Sequence, residues 1–240
     1  MPVEIYDMDY NDFISILGTA HFTRRSVQEA CQAVRATGTR DLAIELDPER
    51  FDHLNGACAT CPRQGTCRAK CEFIEACQAL GNVDANIWLI DMAQDQMGRR
   101  IRQLITPAEA SRGSFSPLNW SGDEGMPWLW ERGLKDEVIR RSQEGLEALR
   151  STFPTVWRVL IQERNALMAA RLAWIASKGL DEEKKPKILA LLGAAHVTDI
   201  RQLLRNPVSI RENLRRLRLP YTPPTLIRRI SVIDNSSMPN

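Results

Sequence analysis

Short apolar runs bounded by glycine or turn residues alternate along this chain with longer stretches whose apolar positions recur at helical spacing. Phe13 to Leu17, Asp41 to Leu46, Asn86 to Ile90 and Lys187 to Leu192 read as strands. Between them, Ser26 to Ala36 carries Val27, Ala30, Cys31 and Val34 on one helical stripe, which places the Cys31 thiol among buried structural groups. Ala93, Met97, Ile101 and Leu104 mark a second helix, and Asp199 to Arg205 a last one. Leu134 to Arg150 and Phe153 to Lys178 read as an antiparallel helical pair projecting from the sheet, and Asp181 to Pro186 as a charged turn. Strands alternating with helices predict an α/β fold, a mostly parallel central sheet flanked by helices, with a helical hairpin excursion and a Cys-rich insertion. The α/β domain is expected over 1–210, with the insertion at 56–78, a Trp-rich loop at 106–133 and the helical pair at 134–178. Residues 211–240 read as a basic extension that frays from Tyr221 onward.

The loop from Thr106 to Gly133 concentrates Gly, Pro and Ser around Trp120, Trp128 and Trp130. A stretch this long in a compact domain is either a lid or substrate rim, or a packed surface excursion. Composition adds bounds. The chain has 240 residues, 43% of them hydrophobic and 26% charged, the profile of a globular protein able to bury a sizeable core. No apolar leader opens the sequence and no apolar run is long enough to span a bilayer, so a protein of the cytoplasm without a transmembrane segment is expected. A net charge of +2 argues neither for nor against nucleic acid across the whole chain, and a nucleic-acid partner is not expected. Arg201 to Arg229 nevertheless holds eight arginines against one acid, Glu212, a basic patch suited to an acidic partner or to contact between copies in a homo-oligomer.

Chemistry enters at two matched segments. Ile16-Leu17-Gly18-Thr19-Ala20-His21 and Leu191-Leu192-Gly193-Ala194-Ala195-His196 each end an apolar run in Gly-x-x-His. They hold two of the three histidines in the chain, one near each end. If the strands are parallel, His21, Glu45 with Asp47, Asp91 and His196 all stand at carboxyl ends of strands, where open α/β sheets bind their ligands. Two imidazoles and a carboxylate suit a divalent metal with an open water position. The same groups without metal suit a histidine base oriented by a carboxylate, and histidines that merely cap helices are the bland alternative.

On the Phe153–Lys178 helix, Glu163, Arg164 and Arg171 project within about 60° of Leu160, on the apolar face. Charges there are expected to be buried, either as a structural pair or turned into the crevice as acid/base or oxyanion-stabilising groups. Cys58, Cys61, Cys67, Cys71 and Cys77 crowd the segment between the second and third strands. In a reducing compartment such clustering favours ligation of zinc or an iron–sulfur cluster by these thiolates, with disulfides and free thiols as the alternatives.

Gly18-Thr19-Ala20-His21, Ala43-Ile44-Glu45-Leu46-Asp47 with Arg50, Leu89-Ile90-Asp91, Glu163-Arg164-Asn165 with Met168-Ala169, and Gly193-Ala194-Ala195-His196 together resemble the TraB/PrgY/Tiki superfamily, in order, over about residues 13–205. The resemblance implies a fold similar to erythromycin esterase and the haem-binding ChaN proteins. Its Tiki branch resembles a manganese- or cobalt-dependent peptidase, and its PrgY branch is associated with the shutdown of peptide pheromones. It implies His21, Glu45 and His196 as metal or catalytic residues, with Glu163 and Arg164 beside them. The chain departs from the pattern in lacking C-terminal membrane segments, in carrying Asn165 where an Asp is usual, and in its cysteine segment. The expectation is therefore a hydrolase of a peptide or another amide or ester, using a water on Mn, Co or Zn held by His21, Glu45 and His196. The alternatives are a metal-free esterase-like hydrolase with a histidine base, and a non-enzymatic protein that binds a peptide or haem.

Overall fold

Four parallel strands form the centre of the computed structural model, which describes residues 5–21, 23–60, 71–81, 85–112, 125–182 and 185–227, excepting the side chains of 57–60. In chain order they are β1 (Ile14–Thr19), β2 (Asp41–Ile44), β3 (Asn86–Leu89) and β4 (Ile188–Gly193). The sheet order is β1-β4-β2-β3, and β5 (Thr225–Ile227) adds antiparallel to β3. The α/β class and parallel sheet follow the sequence pattern; β5 does not. It lies in the Pro-rich tail expected to fray, and its place is set by pairing with β3 rather than by any local signal.

Because side chains alternate across a strand, β4 sends Ile188, Ala190 and Leu192 to one face and Leu189 and Leu191 to the other. Helix α1 (Arg24–Thr37) covers the second face through Ala30 and Val34, joined by Phe73, Ile74 and Ala76 of α3 (Glu72–Ala79). Between β2 and α3 runs α2 (Pro48–Thr60), started by Asp47, whose Oδ1 accepts the Glu49 N–H at 3.0 Å. Two helices that flank the next crossover are α4 (Gln94–Leu104) and the short α5 (Pro107–Ala110).

Within the expected Trp-rich loop, α6 (Gly125–Glu131) forms, followed by α7 (Lys135–Thr152). The second helix of the expected pair begins as α8 (Pro154–Trp157), passes through a π-helical turn at Arg158–Glu163 and continues as α9 (Arg164–Asp181). It lies across the sheet instead of standing off it. Met168, Ala169, Ala170, Leu172, Ala173 and Ala176 pack on Ala43, Trp88, Ile90 and Ala190, the alanines allowing close approach. Helices α10 (Ala194–Arg205) and α11 (Pro207–Leu217) complete this layer through Ile200, Leu204 and Ile210. Leu217 and Leu219, expected in a C-terminal extension, are buried with Met92, Val159 and Leu167. No helix of the described residues is long and apolar enough to cross a membrane.

Candidate functional site

The register of the sheet brings the two Gly-x-x-His segments side by side. β1 and β4 pair in parallel with Gly18 opposite Leu192 and Thr19 opposite Gly193, so both strands stop at the same level and both histidines follow at once. β2 lies on the other side of β4, and the Glu45 N–H donates to Leu191 O at 3.2 Å, which sets Glu45 at the end of the same crevice. Gly18 is required by closeness: a Cβ there would stand 3.0 Å from Val197 Cγ2 and 3.3 Å from Ala194 Cα. Gly193 is required by the site. A Cβ on it would stand 3.2 Å from His21 Nε2, 3.3 Å from Glu45 Oε2 and 3.6 Å from His196 Cδ2, so the three side chains converge on the space that glycine leaves.

Both imidazoles are held by Nδ1. His21 Nδ1 lies 2.6 Å from Glu72 Oε1, and Thr19 Oγ1 lies 3.1 Å from the same oxygen. Since a carboxylate only accepts, Nδ1 carries the hydrogen. His196 Nδ1 lies 2.6 Å from Asn165 Oδ1, while Asn165 Nδ2 donates to Asp199 Oδ2 at 3.0 Å. Asp199 thereby fixes which end of the amide meets the imidazole, and the amide oxygen fixes the tautomer of His196. Its Nε2 faces Glu45 Oε1 at 3.5 Å.

The electrostatics separate the two rings. Burial disfavours the protonated form of His21, but the hydrogen bond to Glu72 and the charges of Glu45 and Glu72 outweigh it and raise its pKa. Burial dominates at His196 despite the pull of Glu45, lowering its pKa. His21 is the half-exposed member, and His196 is buried. Burial also opposes ionisation of Glu45, yet His196 and Arg164 hold its pKa below the usual carboxylate value. Asp91 is held well below that range, against its burial, by Arg164 and Arg50.

Arg164 reaches the site, but its donors are already engaged. Nε donates to Asp91 Oδ1 at 2.9 Å and Nη2 to Asp91 Oδ2 at 2.7 Å; Nη2 also donates to Glu45 Oε1, and Nη1 to Leu160 O at 3.2 Å. It is an anchor for Glu45 rather than a free oxyanion group. Arg50 bridges Asp47 and Asp91, and Arg171 donates to the Asp91 carbonyl, so Asp47 and Asp91 form the ionic floor beneath the crevice.

Glu163 does not join the site. Its buried carboxylate accepts from Arg100 Nε at 2.9 Å, Arg100 Nη2 at 2.7 Å and Arg158 Nε at 3.1 Å. Successive residues on a helix point about 100° apart, and here Glu163 faces Arg100 and Arg158 while Arg164 faces Glu45 and Asp91. Glu72 and Asp199 carry no sequence signal of their own, and Asn165, which the sequence marks only as a departure from the resembled pattern, gains its role from the fold.

Of the cysteines, Cys61 and Cys67 lie outside the described residues, as does the Cys58 side chain. Cys71 and Cys77 are buried in the apolar layer with Phe73 and Ile74, and burial pushes the Cys77 thiol pKa up. Cys31 is half-buried, its Sγ donating to Glu75 O at 3.6 Å. Trp120 also lies outside the described residues. Trp128 is exposed, whereas Trp130 is buried among Leu129 and Val138 and touches Ala20 and Ala194, one residue from each Gly-x-x-His glycine or histidine. Glu131 accepts the Arg25 N–H at 3.1 Å, fastening α6 to the start of α1 beside the crevice.

The residues fit a divalent metal by donor chemistry. Two imidazoles anchored through Nδ1 present Nε2 toward a carboxylate, the outer-shell pattern of histidine ligands. Among the described residues no group of three or more His, Cys, Asp or Glu side chains is placed so as to hold a metal ion, so that fit is one of donor type alone.

The chain is 22% identical over 220 residues to an uncharacterized protein of Methanocaldococcus jannaschii, an alignment covering 80% of this chain and 53% of that protein. The chain therefore spans about half the length of the relative it matches. No family model matches, and no solved structure matches.

Proposed function

We propose that the crevice is a hydrolytic site for a peptide or another amide or ester, with a divalent metal (Mn, Co or Zn) held by His21 Nε2, Glu45 and His196 Nε2. One observation carries the reading: His21 Nε2, Glu45 Oε2 and the Cδ2 edge of His196 converge on the space beside Gly193, and both rings are held through Nδ1. When bound there, such a metal lowers the pKa of a water and polarises a carbonyl. Glu72 and Asn165 orient the rings, and Arg164 together with the Gly193 N–H, 2.5 Å from Oε2, fixes the Glu45 carboxylate. The amino end of α10 has no side-chain cap, and in this reading the backbone N–H groups of Ala194 and Ala195 meet the developing oxyanion. Membership of the TraB/PrgY/Tiki superfamily, and work in a reducing cytoplasm that keeps the thiols reduced, belong to the same proposal.

A second reading is favoured by the 2.6 Å contact of the half-exposed His21 with Glu72. In it His21 Nε2 takes a proton from water as the water oxygen bonds to the carbonyl carbon, then returns that proton to the leaving alcohol or amine. Equilibrium dialysis against Mn2+, Co2+ and Zn2+, paired with hydrolysis of chromogenic esters and a fluorogenic peptide panel, separates the two. Loss of metal uptake and turnover in both His21→Ala and His196→Ala supports the metal site. Unchanged uptake in both overturns it, and full turnover after exhaustive chelation selects the histidine-base reading.

A further inference from the structure

At the far end of the sheet from the crevice, where β2, β3 and β4 begin, the surface opens into a cleft of about 590 Å³. That volume is within the range of small-molecule sites, roughly 300–1,000 Å³. Four cations line it: Arg40, Lys178, Lys185 and Lys187. Two acids, Asp41 and Glu182, share the lining. Asp41 is committed to the floor, where Oδ1 accepts from Trp88 Nε1 at 2.8 Å and Asn86 Nδ2 at 3.0 Å. Glu182 also has an interaction of its own. Among the described residues none of the four cations is in an ion pair. Lys178 instead rests its ammonium over two indole rings, 5.4 Å from the Trp88 centroid and 5.6 Å from that of Trp174. These rings support the cation without neutralising it. Like charges gathered in a concave wall repel one another and focus a positive potential, which a multivalent anion relieves.

We infer that this cleft binds a small, multiply charged anion of the phosphate-bearing class. The inference does not depend on the hydrolytic reading, since its residues lie at the opposite ends of the strands. Lysine and arginine contacts to phosphate oxygens are charge-assisted, and the cleft offers four donors of that kind to one ligand. The neighbouring Trp88 and Trp174 supply an optical reporter.

The test is titration of the intact protein with tripolyphosphate, followed by calorimetry and tryptophan fluorescence at about 0.1 M salt, where distant charges are screened. Wild type is expected to bind one equivalent with a fluorescence change. Lys185→Ala/Lys187→Ala is expected to bind about tenfold more weakly or worse, the equivalent of about 1.4 kcal/mol, and Lys178→Ala to weaken binding and alter the fluorescence response. Arg215→Ala/Arg216→Ala on α11 removes the same charge elsewhere and is expected to change affinity less than about twofold. All these side chains are exposed or half-buried, and circular dichroism checks that the variants remain folded. Absence of saturable binding to the wild type overturns the inference. Equal weakening in the α11 variant does so too, because it assigns binding to net charge.

Discussion

Replacing Arg164 by Met removes the cation that joins the site to its floor while keeping much of the side-chain volume. Arg164 is 12% exposed and faces Asp91 and Glu45, which are 0% and 3% exposed. Breaking a buried ionic network by deleting one partner costs about 3–5 kcal/mol, because the remaining charge is left without compensation. Here Asp91 keeps Arg50 and the Met92 N–H at 2.7 Å, so the orphaned charge is chiefly that of Glu45. The expected loss is therefore at the low end, about 3 kcal/mol, or roughly 6–12 °C in Tm for a chain of this size. The pH dependence follows from the signs. Glu45 and Asp91 have folded pKa values below their unfolded ones, so their contribution is full above the unfolded carboxylate pKa and is lost as pH falls through the folded values. In Arg164→Met that depression is relieved and the stranded carboxylate can take a proton, so the gap from wild type narrows as pH drops from 7 toward about 4. Urea denaturation of chelated protein at both pH values measures it. A gap below about 1 kcal/mol at neutral pH, or an equal gap at both, would refute the account of Arg164 as the anchor of Glu45.

Gly193→Ala is a sharper probe of convergence. The residue has φ −56°, which any amino acid adopts, so the fold is expected to survive with a cost of about 1–2 kcal/mol while the new methyl fills the space between His21, Glu45 and His196. Metal uptake and turnover should both vanish, and their persistence would move the reacting point elsewhere. Asn165→Leu frees the tautomer of His196 and is expected to lower metal affinity or turnover about 10–100-fold, with the change in imidazole protonation read from its nitrogen chemical shifts. A native tautomer in that variant would remove Asn165 from the site. Cys77 is expected to resist a thiol reagent at pH 8 in the folded protein and to react on unfolding, since burial raises its pKa; rapid labelling of the native state would contradict its placement.

The sequence by itself determined the strands, the parallel α/β class and the pair of Gly-x-x-His turns. These depend on local period and on glycine at a strand end, which adjacent residues encode. It also identified Glu45 and Asp91 as strand-terminal carboxylates. Sheet order was not local: that β4 inserts between β1 and β2, bringing His196 beside His21 and Glu45, depends on pairing between segments more than 140 residues apart, as in the 148 residues separating Glu45 from Gly193. Tertiary structure alone decided which charges face the crevice. Glu163 and Arg164 share an apolar face in projection, yet the chain turns one toward Arg100 and the other toward Glu45. It alone supplied Glu72 and the role of Asn165, which arise from where α3 and α9 pack, and it alone drew β5 out of a proline-rich tail. Hydrophobic period fixes what each segment can become, while the partners of a buried polar group are settled only once the segments are packed.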